Sequence, residues 1–290
     1  MLLGFPECAP QVEALAAATG RDCAIVDVHR FPDGESRLRL PPALPADVVL
    51  CRSLDHPNDK LVELLIAAAA ARELGAVRVT LVAPYLCYMR QDMAFTPGEA
   101  VSQRIVGRLL AERFERVVTV DPHLHRVSDL GEAIPSGNPV ALSAAPLIAR
   151  YLQAQLRAPL IVGPDSESSQ WVDAIADAAG FDGVVCTKTR TGDRTVAIEL
   201  PPCDMTGRDI VLVDDVASTG HTLARAAEQC RARGAARIDV AVTHGLFVGD
   251  AIGVLRRAAI GNVWSTDSVT HATNAIPLAG LLAAALAPAG

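Results

Sequence analysis

Ile210-Val211-Leu212-Val213-Asp214-Asp215-Val216-Ala217-Ser218-Thr219-Gly220-His221-Thr222-Leu223 runs from an apolar segment through two adjacent acids and a Ser-Thr-Gly turn into an Ala-rich stretch. An apolar run that ends in a turn and is followed by a helix-forming segment reads as one strand-loop-helix unit of a parallel sheet. Backbone N–H groups at the helix start, together with the Ser and Thr hydroxyls, form a pocket for a phosphate dianion. The two carboxylates suit vicinal hydroxyls, because an ionised carboxylate only accepts hydrogen bonds. Acid beside a phosphate site repels the ligand unless hydroxyl donors or a metal cation intervene, and a sugar phosphate meets both demands. Taken alone, the fragment also fits a capped helix with solvent-facing acids.

Working outward, the chain repeats itself. Residues 20–42 and 180–202 align without a gap at an offset of 160, pairing Gly20 with Gly180, Asp22 with Asp182, Arg30 with Arg190, Leu40 with Leu200 and Pro41-Pro42 with Pro201-Pro202. The apolar, glycine-containing and Ala-rich run of residues 2–16 is echoed at 161–176, and Gly75-Ala76-Val77-Arg78-Val79 at Gly234-Ala235-Ala236-Arg237-Ile238. Three matches in one order imply a tandem duplication, with a boundary near residue 142 and domains 1–142 and 143–290. Each half alternates short apolar runs with Ala-rich stretches, the pattern of an α/β fold with helices covering a parallel sheet. The spacing predicts strands at 48–50, 77–83, 117–120, 160–162, 210–213 and 238–242, and helices at 59–74, 168–179 and 222–233. Pro-Asp-Gly within 31–35 and Gly-Asp within 191–194 predict a hairpin or flap at an equivalent place in each half.

Composition narrows the ligands. With 26 basic against 33 acidic residues the chain carries a net charge of -7, which argues against a general nucleic-acid binder but leaves room for a local phosphate pocket. Half the residues are hydrophobic and a fifth are charged, so the chain folds rather than staying disordered. The Pro-interrupted tail 275–290 is too short to span a membrane. Seven scattered cysteines with no Cys-x-x-Cys pair, and a start without a basic then apolar leader pattern, imply a reduced, cytoplasmic protein whose thiols are small buried residues. Neither of the two lysines, Lys60 and Lys188, follows a glycine as a P-loop requires, and no Gly-x-Gly-x-x-Gly follows a strand. His123-x-His125 lacks a third zinc ligand at convincing spacing.

The segment from Val213 to Thr222 resembles the phosphoribosyl diphosphate loop of type I phosphoribosyltransferases and of ribose-phosphate pyrophosphokinases. Phe31-Pro32-Asp33-Gly34-Glu35, Pro84-Tyr85-Leu86-Cys87-Tyr88-Met89-Arg90-Gln91-Asp92, Val118-Thr119-Val120-Asp121-Pro122-His123, Pro164-Asp165 and Lys188-Thr189-Arg190 resemble pyrophosphokinase motifs in order and spacing, in a style close to the archaeal members. The resemblance spans nearly the whole chain. It implies two tandem phosphoribosyltransferase-like domains, each a mainly parallel sheet flanked by helices with an inserted flap, the first on the ATP side and the second on the ribose 5-phosphate side.

In that family the anomeric hydroxyl of ribose 5-phosphate attacks the β-phosphorus of ATP and AMP leaves, a reaction catalysed mainly by positioning and charge neutralisation. By resemblance, Asp214, Asp215, Ser218, Thr219, Gly220 and Thr222 hold ribose 5-phosphate. Phe31, Asp33 and Glu35 hold adenine from a neighbouring subunit, which implies a homo-oligomer of at least two chains. Arg90, Gln91 and Asp92 form another wall of the ATP site, and His123 and Asp165 contact Mg2+-ATP. The basic residues are 24 arginines against two lysines, so the lysine in the flap motif stands out. Its compact ammonium can follow charge onto transferring phosphoryl oxygens. Lys188 and Arg190 are the expected transition-state stabilisers, on a loop that closes over bound substrates.

Two other readings stand beside this one. A non-catalytic homologue that binds nucleotide or a partner synthetase is favoured by two departures from the family pattern: Met93, where a basic residue is usual, and Ser166-Glu167-Ser168-Ser169, where small glycine-rich loops are common. The retained Lys188, Arg190, Asp165, Asp214 and Asp215 oppose it. A phosphoribosyltransferase is the third reading, but it gives the duplicated half and the Phe-Pro-Asp-Gly-Glu flap no obvious purpose.

Overall fold

Valine- and leucine-rich runs, sealed on both faces by Ala-rich helices, become the parallel strands of two sheets. The structure, a computed structural model, describes residues 1–124, 127, 129–135, 138–190 and 196–287, with side chains for all but 188–190 and 196–199. The chain divides into two units.

The first unit contains β1 (Leu2–Gly4), α1 (Ala9–Thr19), β2 (Cys23–Ile25), β3 (Asp27–Arg30), β4 (Ser36–Arg39), β5 (Asp47–Cys51), α2 (Pro57–Glu73), β6 (Arg78–Ala83), α3 (Ser102–Ala111), β7 (Arg116–Val120), α4 (Leu130–Ala133) and β8 (Val140–Leu142). Among the described residues its sheet has the order β2-β1-β5-β6-β7-β8 with every neighbouring pair parallel, and β3 and β4 form a separate antiparallel hairpin.

The second unit contains α5 (Ala145–Gln155), β9 (Leu160–Gly163), α6 (Ser169–Ala179), β10 (Asp182–Val185), β11 (Thr187–Arg190), β12 (Val196–Glu199), β13 (Asp209–Ala217), α7 (His221–Ala232), β14 (Arg237–Gly245), α8 (Ala251–Arg257), β15 (Val263–Thr266) and β16 (Asn274–Ile276). Its sheet order is β10-β9-β13-β14-β15-β16, again parallel throughout, with β11 and β12 as the separate hairpin. Adding eight to each strand number of the first unit reproduces the second, so the duplication read from residues 20–42 and 180–202 extends to the whole topology. The landmark glycines repeat to the level of backbone angle: Gly20 and Gly180 end α1 and α6 in the left-handed region, at φ +65° and +68°, and donate to the Ala16 and Ala176 carbonyls. Glycine reaches that region without the steric penalty of a Cβ.

Two expectations are corrected. The sequence reading gives all of 143–290 to the second unit, yet Ser268–Thr270 and Leu278–Gly290 belong to the first. The last helix, α9 (Ala279–Leu286), packs on α1, burying Leu282 and Leu286, and Gln11 Nε2 donates to Thr270 Oγ1 at 2.9 Å. An almost wholly apolar helix needs a partner face, and the alanines of α1 let it approach closely. The strand expected at 210–213 instead runs through both acids to Ala217, because the equally long β14 continues the ladder, with Asp214 opposite Val242 and Val216 opposite His244. Five of the seven cysteines are buried as expected, and burial pushes the Cys87, Cys186 and Cys230 thiols up to about 12, whereas Cys23 is exposed and Cys203 half-buried.

Candidate functional site

Ligands of open parallel sheets bind outside the carboxyl ends of the strands, where successive connections leave in opposite directions. In the second unit that place lies between β9 and β13, since β9 has β10 on one side and β13 on the other. The sequence puts its candidate residues there: Asp165 just past β9, Asp214 and Asp215 near the end of β13, and Ser218, Thr219, Gly220 and Thr222 on the loop into α7.

The acids form one electrostatic group. Burial, followed by the Asp215 and Asp165 carboxylates, pushes the Asp214 carboxyl well above the usual carboxylate range. The Asp215 N–H donates to Asp214 Oδ1 at 3.0 Å, and the Val216 N–H to Asp215 Oδ1 at 2.7 Å. Asp165 is buried and caps a single 3-10 turn, accepting from the Glu167 N–H at 3.0 Å, while the Ser168 hydroxyl donates to its carbonyl at 2.6 Å. The Ser168 side chain thus holds the Asp165 main chain, while the carboxylate is held by a main-chain N–H.

Beyond β13 the chain turns at Gly220, whose φ of +77° suits glycine, and α7 begins without a side-chain cap among the described residues. Its first N–H groups, unsatisfied within the helix, stand beside the half-buried Ser218 and Thr222 and the exposed Thr219. The Leu246 and Phe247 N–H groups donate to the Ala217 carbonyl, and the Val248 N–H to that of Ser218, each at 3.0 Å, which ties the loop to the segment after β14. Uncapped amides, hydroxyls and neighbouring acids are what a sugar phosphate requires. His244 is buried on β14, and His221 is exposed at the first position of α7.

In the first unit the β3–β4 hairpin presents Phe31, which is 40% exposed and meets the His29 ring edge-on at 4.8 Å between centroids. The tip closes through the Phe31 N–H to the Glu35 carbonyl at 2.8 Å and the Gly34 N–H to the Phe31 carbonyl at 2.9 Å. Asp33 and Glu35 line a cavity of about 490 Å3 together with Asp59, Val62 and Ile66 of α2. Arg90, Gln91 and Asp92 lie on the loop between β6 and α3: Arg90 is exposed, Asp92 is buried, and Gln91 Oε1 accepts from the Ser102 hydroxyl at 2.6 Å and from the Ser102 N–H at 3.3 Å, the latter capping α3. His123 is half-buried beyond β7. Tyr88 and Asp121, on these two loops, adopt φ of +60° and +36°. Backbone strain of this kind costs on the order of 1 kcal/mol per residue and clusters at functional sites.

Some expectations fall outside this description. The backbones of Lys188 and Arg190 are on β11, Lys188 opposite Ile198 and Arg190 opposite Val196, but their side chains, the 191–194 flap tip and His125 lie outside the described residues. For a metal, no three His, Cys, Asp or Glu side chains converge as a preformed cage among the described residues. Mg2+ commonly takes only one or two carboxylates, with substrate phosphates supplying further oxygens. The hard oxygen donors of Asp165, Asp214 and Asp215 fit such a cation, since burial first and the mutual repulsion of the acids second disfavour the charge on Asp214 that a cation would offset.

Sequence reasoning missed a network in the first unit. Arg52, just past β5, donates to Glu7 at 2.7 Å and to Glu63 at 2.6 Å, and all but 2% of its side chain is buried. Strand register places Arg52 where the second unit has Asp214, an equivalence that the offset of 160 read from residues 20–42 does not give.

Comparison with known proteins agrees with this geometry. Residues 1–113 match the N-terminal domain of ribose phosphate pyrophosphokinase, and residues 133–256 the phosphoribosyl transferase domain. The chain is 34% identical over 288 residues to a ribose-phosphate pyrophosphokinase of Halobacterium salinarum, covering 99% of this chain and 100% of that one. With the enzyme of the same name from Methanopyrus kandleri it shares 34% identity over 94% of this chain and 93% of the relative. The crystal structure of phosphoribosylpyrophosphate synthetase from Mycobacterium smegmatis has the same fold, with a TM-score of 0.83 at 24% identity over 99% of this chain and 97% of that one. On full-length identity, matched domains and doubled architecture, the chain belongs to the ribose-phosphate pyrophosphokinase family.

Proposed function

We propose that this enzyme transfers the β,γ-diphosphate of ATP to the anomeric hydroxyl of ribose 5-phosphate, giving phosphoribosyl diphosphate and AMP. The observation that carries this is the crevice between β9 and β13, where three acids stand beside the uncapped start of α7. Amides and hydroxyls at Ser218, Thr219, Gly220 and Thr222 take the 5-phosphate, and Asp214 and Asp215 accept from the ribose hydroxyls. Phe31 stacks on adenine, Asp33 and Glu35 accept from its amine, and Arg90, Gln91 and Asp92 hold the nucleotide. With its carbonyl oxygen capping α3, Gln91 offers its amide nitrogen as a donor.

Mg2+ supplies charge neutralisation on the phosphate oxygens, with His123 and Asp165 as its proposed contacts. Lys188 and Arg190 stabilise the charge that builds on the transferring group. The chain works as a homo-oligomer in the cytoplasm, a dimer or a multiple of dimers, and no described helix is long and apolar enough to cross a membrane.

Incubation with ATP, Mg2+ and ribose 5-phosphate, followed by mass spectrometry, is the test. Equal amounts of AMP and phosphoribosyl diphosphate are expected. ATP binding with neither product would move the assignment to a regulatory homologue, and activity that needs a nucleobase but no ATP would move it to a phosphoribosyltransferase.

A further inference from the structure

One buried carboxylate grips the neck of the β3–β4 hairpin. Glu63, on α2 and only 1% exposed, accepts through Oε1 from Arg30 Nε at 3.2 Å and from the Ser36 hydroxyl at 2.8 Å. Arg30 and Ser36 face each other as the last pair of the ladder before the tip that carries Phe31, Asp33 and Glu35. The other oxygen of Glu63 takes Arg52 Nη2 at 2.6 Å. Arg52 is held in turn by Glu7, by the Lys60 carbonyl at 3.2 Å and by the face of Phe5, 3.8 Å from the ring centroid. Burial raises the Glu63 pKa, but hydrogen bonds from Arg52, Ser36 and Arg30 outweigh it and leave the carboxyl below its ordinary value.

The base of this hairpin is held by the buried Val26 and Leu40 and by the Val26 N–H on the Gly4 carbonyl, and nearer the tip Arg30 also lies 3.8 Å from Asp59. Among the described residues β3 and β4 pair only with each other, and an isolated two-stranded hairpin is marginal in water. Its direction therefore depends on what holds its neck. Comparison of the two units shows which position of the repeat supplies that anchor. Leu50 of β5 lies opposite Leu3 of β1 as Leu212 of β13 lies opposite Val162 of β9, and Arg52 and Asp214 each follow two residues later. In the second unit this place carries an acid of the sugar phosphate crevice. In the first, a guanidinium occupies it, neutralises Glu63 and leaves that carboxylate positioned for the hairpin.

We propose that Glu63 is a positioning residue for the nucleotide: by clamping Arg30 and Ser36 it fixes the hairpin tip in the orientation that receives adenine. The proposal rests on the reading that this tip takes adenine. Glu63→Gln keeps the shape and removes the charge, so two readouts are taken on the full-length protein. Hydrogen exchange should accelerate within residues 27–39 and not in the sheets. The KM for ATP should rise about tenfold, the order expected for weakened charge-assisted hydrogen bonds, while kcat and the KM for ribose 5-phosphate stay within about twofold. Ser36→Ala, which leaves no buried charge behind, should raise the KM for ATP about threefold, and Ser36→Thr, which keeps the hydroxyl, should restore it.

Unchanged exchange across residues 27–39 in Glu63→Gln overturns the clamp. Faster exchange with an unchanged KM for ATP overturns the positioning role if Phe31→Ala raises that KM. If Phe31→Ala also leaves it unchanged, the adenine assignment of the tip fails instead, and the functional half of the proposal with it.

Discussion

Burial, and then the neighbouring Asp215 and Asp165 carboxylates, make ionisation of Asp214 unfavourable, so a cation or hydroxyl donors brought by a ligand would favour its charged form. Asp214 holds its proton to higher pH in the folded chain than in the unfolded one. Between the ordinary carboxylate pKa and the raised native value the folded state binds the extra proton, so stability falls as pH rises through that window. Asp214→Asn should remove this slope, raising the thermal midpoint of the ligand-free protein near neutral pH while abolishing sugar phosphate binding. Thermal unfolding between about pH 4 and pH 8 reads the first effect and calorimetry with ribose 5-phosphate the second; an unaltered pH slope would show that burial and the neighbouring acids together do not raise Asp214. Lys188→Ala should lower kcat by about a hundredfold or more, the usual scale for one group that stabilises transition-state charge, with both KM values little changed. Near wild-type turnover would remove Lys188 from the chemistry.

At the scale of elements, the twin helix ends give a direct test of the repeat. Nothing stands within 4 Å of a Cβ built on Gly20 or Gly180, so Gly→Ala at either meets only the cost of the left-handed backbone, about 1 kcal/mol. Each substitution should lower Tm by about 2–4 °C, and markedly unequal shifts in calorimetry would show that the two ends are not equivalent. The same elements show what the sequence could reveal. Parallel strands covered by helices produce unbroken apolar runs, so β5, β7, β9 and β14 were legible, and the constant offset exposed both hairpins. The end of β13 was not, because acids in a strand read as a turn until the partner strand that continues their ladder is known. The Glu63 clamp was hidden for a related reason: Arg30, Arg52 and Glu63 lie on three separate segments, and α2 has no strong apolar stripe to mark which of its side chains face inward. The sugar phosphate loop was legible because its parts are contiguous, whereas the ATP-side candidates are spread over three loops and became visible only through family resemblance.

For the molecule as a whole, the proposal that the β3–β4 hairpin takes adenine in a neighbouring copy's site predicts an oligomer. Light scattering should find at least a dimer at concentrations where the enzyme is active, and a fully active monomer would contradict the shared site. Helix α9 bears on a different property, the order in which the protein can be completed as it is made. Domains generally fold as units during synthesis, the earlier ones first. Here the partner of α1, 270 residues further along, is translated only after every strand of the second unit. The first unit, begun earliest, is therefore the last to be finished. Until α9 emerges, the face of α1 that it covers is open, and the first sheet must wait for a helix made after the whole of the second to close it.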